Sequence, residues 1–208
     1  MENKEELFAI VRKLRIDCAV RQKKGLHFIV SSVIVWLGII VIHASSLPME
    51  SKNMYTFICS APLMGLAMLL AKPMRIDFQC KDNPLTNLGI FFSINQVLYL
   101  IIAMWVYAAI PEKMLMVYTM IFGAHLLPYG WLYGSRSYLM LSVLIPIASL
   151  LIGLFFEPVA LAMFMLITEI GFCISLMIEN KKLLEKIKAE EVRAIPHRKK
   201  CQIPPSVI

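Results

Sequence analysis

Residues 114–134, MLMVYTMIFGAHLLPYGWLYG, decide the fold. As a helix rising about 1.5 Å per residue, this stretch spans about 30 Å, the thickness of a bilayer's hydrocarbon core. His125 then lies well inside that core, where a titratable group is costly and needs a partner. Pro128, three residues on, has no N–H, so the carbonyl of Ala124 loses its usual helix bond. A freed carbonyl beside a buried imidazole is a polar spot, and the expectation is that another helix satisfies it.

Five further apolar blocks surround this one. The spans read as 26–44, 54–71, 88–110, 114–134, 138–156 and 159–178. Of the 208 residues, 59% are hydrophobic, against about half in a soluble domain. The mean hydropathy is +0.70. The fold class is therefore an all-α integral membrane bundle of six transmembrane helices.

Two charged segments flank the bundle. In residues 1–25, Leu7, Ile10, Val11, Leu14 and Cys18 recur at helical spacing among Lys and Arg, the pattern of a basic amphipathic helix on a membrane surface. Residues 179–208 form a charged tail whose helix is expected to stop at Pro196, with a disordered end at Pro204-Pro205.

Charge orients the bundle. With six spans, 19 of the 21 Lys and Arg fall on the side that holds both termini, and only Lys52 and Lys113 fall on the other. The positive-inside rule places both termini in the cytoplasm. The net charge of +7 is gathered at span ends, so the expected partner is a bilayer with anionic headgroups, not nucleic acid. The five cysteines show no CxxC and no zinc spacing. No cofactor or metal is called for. No HExxH, Walker loop, GxSxG or dinucleotide fingerprint is present. His27, His43 and His197 lie at span ends or in the tail and suggest no special role.

Four submerged polar residues remain. His125 is nine residues from Gly134, Glu169 nine from Ile178, and Asn95 and Gln96 seven and eight from Leu88. All therefore sit roughly 10–14 Å above the basic boundary. The expectation is that Glu169, His125, Asn95 and Gln96 converge and bind a proton or a substrate. The plainer reading is hydrogen-bonding glue between helices. Pro62, Pro128 and Pro146 are the candidate helix kinks. Pro62 and Pro146 fall in the middle spans of two halves of opposite topology, a hint of an inverted repeat.

The runs KKGLHFIVSSVIVW (residues 23–36) and NQVLYLIIAMWVYAAIPEKMLMVYTMIFGAHLLPYGWLYGS (residues 95–135) resemble a family of small six-span bacterial membrane proteins of unknown function. The resemblance covers roughly residues 20 to 180. It implies a bacterial inner-membrane location and brings no activity or site residue. The leading functional expectation is a small permease, proton-linked through Glu169 and His125. The alternative is a non-transporting membrane component that binds or regulates a partner through its basic tails. A homo-oligomer or another membrane protein is a further candidate partner. An intramembrane enzyme ranks third.

Overall fold

The computed structural model describes residues 2–77 and 80–200, with side chains over 4–77, over 80–190 and at 192 and 193. Among the described residues nine α-helices follow one another: α1 (Glu2–Arg21), α2 (Leu26–Ala44), α3 (Met49–Ser60), α4 (Leu63–Ala71), α5 (Leu85–Ala109), α6 (Met114–Ala124), α7 (Leu126–Tyr133), α8 (Arg136–Phe155) and α9 (Pro158–Lys200). No strand occurs among the described residues. Among the described residues, six helical segments are long and apolar enough to cross a membrane: α2, α3 with α4, α5, α6 with α7, α8, and the first part of α9. The protein is a multi-pass, all-α membrane protein.

Two spans are broken, and their sequences say why. Pro62 separates α3 from α4 in the second span, because it can neither donate to the preceding turn nor clear its carbonyl. The fourth span breaks at His125, three residues before Pro128. Pro146, by contrast, lies inside an uninterrupted α8. Residues 49–53, expected as loop, already belong to α3: Pro48 precedes it and Glu50 lies in its first turn, where a carboxylate suits the helix dipole. At the other end α9 runs through Pro196 to Lys200, where a stop was expected. Proline's φ fits a helix, so it removes one hydrogen bond without forcing a stop. Pro204 and Pro205 lie outside the described residues.

The core lies between α2, α6, α8 and α9. The most extensive contacts are α6 with α8 and α2 with α9. Trp36 is buried and meets Tyr118 and Phe122 edge-on, each with ring centroids 6.1 Å apart. Lipid gives helices no hydrophobic reason to associate, so close backbone approach carries much of the packing. Gly123 permits that approach between α6 and α8: a Cβ there would lie 2.5 Å from Pro146 Cδ and 2.7 Å from Ile145 Cβ. Gly123→Val is expected to destabilise the bundle by about 1–3 kcal/mol. Gly65→Val, where a Cβ meets nothing within 4 Å, is the neutral control. Thermal unfolding in detergent compares the two.

α5 is the outlying span, held mainly by α6 and α7. Its polar anchor is Ser93, 2.6 Å from the Tyr129 hydroxyl, which donates to the Gly89 carbonyl at 2.9 Å. α1 docks only in part. Leu7 and Ile10 are exposed, Val11 and Leu14 half-buried, and Cys18 and Ala19 buried. The expected amphipathic stripe is thus covered by the bundle only at its C-terminal half.

Candidate functional site

The structure does not gather the four candidate residues into one cluster. Asn95 is exposed on the outer side of α5, Gln96 is half-buried, and among the described residues neither makes a side-chain hydrogen bond. His125 is half-buried and its Nδ1 pairs with the Phe122 carbonyl of its own helix. The rings of Phe122 and Tyr129 flank it at 5.2 and 6.0 Å. The expectation that another helix serves the imidazole is corrected here. The break at His125 brings the Phe122 carbonyl of the last α6 turn within reach of the ring, so the imidazole finds a partner within its own span. No hydrogen bond or ion pair joins His125 to Glu169 among the described residues.

Glu169 is fully buried. Its Oε2 meets Ser32 Oγ of α2, and its Oε1 has no hydrogen-bond partner among the described residues. By helical rise it lies about 16 Å from Pro158 and about 15 Å from Glu179, at mid-depth. Ser32 Oγ also reaches the Ile29 carbonyl at 2.9 Å. The hydroxyl has one hydrogen and two acceptors around it. An ionised carboxyl takes that hydrogen. A protonated carboxyl donates its own to Ser32 Oγ and leaves the serine hydrogen for Ile29. The α2–α9 seam therefore has a satisfied arrangement for either state of Glu169 Oε2.

At the basic end an ion pair ties the turn that leads into α2 to α9. Lys24 Nζ lies 2.7 Å from Glu179 Oε2, with side-chain exposures of 7% and 20%. Glu179 also accepts from Ser135 Oγ at 2.6 Å, Ser137 N at 3.0 Å and Ser137 Oγ at 2.7 Å. Its carboxylate thus occupies the N-terminus of α8, where free backbone N–H groups favour an anion. Ser175 Oγ is 2.5 Å from Ser137 Oγ and must be the donor, since the Ser137 hydrogen goes to Glu179.

The turn that presents Lys24 is unusual. Lys23, Lys24 and Gly25 all have positive φ, at 45°, 52° and 70°. Neighbours hold it in place. Tyr138 donates to the Lys24 carbonyl at 2.9 Å, and Asn180 Nδ2 to the Lys23 carbonyl at 2.9 Å. A Cβ at position 25 would lie 3.0 Å from the Tyr138 hydroxyl, so glycine serves both conformation and space.

Beside this lock, α1 clamps the connection between α4 and α5. Arg21 is within 3.1 Å of Asp17 and 3.6 Å of Asp77, and Asn83 Nδ2 donates to the Leu14 carbonyl at 2.8 Å. Cys18 and Cys80 are buried there as free thiols. Burial, with Cys80 and Asp17 adding to it, pushes the Cys18 thiol up to about 12. Thiolate is the nucleophile, so Cys18 is expected to resist maleimide at mildly alkaline pH until the protein unfolds. Mass spectrometry of labelled peptides before and after denaturation checks this.

At the opposite end a cleft of about 480 Å³ opens between Glu112-Lys113, Phe156-Glu157-Pro158 and Met49. None of the four candidate residues lines it. No group of three or more metal-ligating side chains occurs among the described residues.

No curated protein and no solved structure matches the chain. Residues 11–179 match the model of DUF7010, described as a family of unknown function. That match begins within α1 and ends on Glu179, so it takes in all six spans, the Ser32–Glu169 contact and the lysine–glutamate lock. The chain belongs to this family.

Proposed function

We propose that the protein is a small proton-responsive permease in which Glu169 is the group that binds and releases the proton. The observation that carries this reading is the proton inventory at Ser32: one hydroxyl, two acceptors, and a partner for Glu169 Oε2 in both protonation states. A buried carboxyl at mid-depth is too costly to keep without a role, and proton relays are the common one. Protonation would change the hydrogen bonding between α2 and α9, the helices that Lys24 and Glu179 pin at the basic end. His125 has no part in this reading, since its Nδ1 pairs with the Phe122 carbonyl of its own span and no hydrogen bond or ion pair joins it to Glu169 among the described residues.

In this reading both termini face the cytoplasm of a bacterial inner membrane, and the Lys and Arg of the basic end meet anionic headgroups. The test is proton flux into vesicles containing the purified protein, under an imposed potential. Flux in wild type that is lost in Glu169→Gln supports the proposal. Absent flux, or equal flux in both, counts against it.

A second reading rests on a separate observation. α9 has 43 residues, about 65 Å of helix, roughly twice a bilayer's thickness. Lys181, Lys182, Lys186, Lys188 and Arg193 are exposed on the part beyond Glu179. A projecting basic helix suits an acidic partner. Pull-down with and without residues 181–208 tests it, and unchanged capture on truncation would reject it.

A further inference from the structure

We infer that the outer face of α5 is the contact surface of a homodimer, in which Asn95 of each copy hydrogen-bonds the Asn95 of the other. Three observations carry this. The first is placement. Asn95 lies two residues from the centre of the 25-residue α5 and is exposed. A short amide there cannot reach water, and hydrocarbon offers it no partner. Among the described residues its own bundle offers none either, since α5 is anchored inward through Ser93 and Tyr129 instead.

The second is periodicity. Phe91, Asn95, Leu98, Ile102 and Trp105 follow one another at intervals of four, three, four and three residues. The four apolar members are each more than half exposed. Residues at this spacing line one side of a helix and can form the seam along which two helices wrap around each other, and Asn95 is the polar member of this row.

The third is chemistry. A primary amide carries both a donor and an acceptor, so it is complementary to itself. Across a two-fold axis the two amides can bond reciprocally, which suits a second copy of the same chain better than an unrelated helix. One asparagine in an apolar seam also fixes register, as a single polar position does in coiled coils. Phe91 and Trp105 flank it on the same seam and would pack against their counterparts.

The test uses the full-length chain in phosphatidylcholine–phosphatidylglycerol vesicles. Donor- and acceptor-labelled copies are mixed, and energy transfer is followed as lipid dilutes the protein. Wild type is expected to show transfer that falls on dilution as a dimer dissociates. Asn95→Leu is expected to weaken the dimer about tenfold. Its helix content and melting should stay those of wild type. A second measurement stands even if that variant folds poorly. Leu98→Cys should form an intermolecular disulfide on oxidation, and Gly65→Cys on α4 should not, each judged against wild type. The inference is overturned if wild type is monomeric at every dilution, if Asn95→Leu dimerises as tightly as wild type, or if position 65 cross-links and position 98 does not. It is equally overturned if position 98 cross-links in cells only to a different membrane protein.

Discussion

Glu179→Ala is expected to lower the stability of the bundle by about 3–5 kcal/mol, the cost of leaving a buried partner charge alone. The stranded charge is Lys24, whose side chain is 7% exposed and whose ammonium has Glu179 at 2.7 Å. The loss does not stop there. Ser135 and Ser137 give up their shared acceptor, and the N-terminus of α8 loses its anion. Lys24→Met alone should cost less, because Glu179 keeps three serine hydrogen bonds. The pair Lys24→Met with Glu179→Leu should recover part of the single-mutant loss, since no ion then remains buried. Denaturant unfolding in micelles measures the cycle. Strict additivity would mean that the two residues do not act as a pair.

Glu169→Gln is expected to abolish proton-linked flux while leaving the fold within about 1 kcal/mol of wild type. Glutamine has the length of glutamate and can still bond Ser32, but it has no proton to exchange. His125→Ala should leave the flux in place and cost about 0.5–1.5 kcal/mol of stability, because its ring bonds within its own span and packs between the rings of Phe122 and Tyr129. Ser32→Ala should lie between these. It keeps the carboxyl and removes the hydroxyl that accommodates both of its states. Loss of flux in His125→Ala with full flux in Glu169→Gln would reverse these roles.

Hydrophobic block length made the six spans legible, because lipid accepts little else of that length and composition. The level along a helix was countable: Glu169 stands nine residues from Ile178. Facing was not. Residues at similar counts along their spans can face different ways, as the exposed Asn95 and the buried Glu169 do. Ser32 went unremarked because serine is common in membrane helices, yet its place six residues into the first span was a usable signal. Lys24 and Glu179 were counted only as flanking charges. Their pairing depends on the left-handed turn at Lys23-Lys24-Gly25, and lysine gives no hint of positive φ. His125 shows the reverse case. Its cost in the membrane was plain, but a break in its own helix met the need that another helix was expected to meet.

The central claim is that the Glu169 carboxyl, held by Ser32, binds and releases a proton inside the α2–α9 seam. Infrared difference spectroscopy of the protein in bilayers, recorded across a pH titration, addresses it most directly. Wild type should show a carboxyl C=O band that changes with pH, absent from Glu169→Gln and shifted in Ser32→Ala. Identical difference spectra for the three proteins would contradict it.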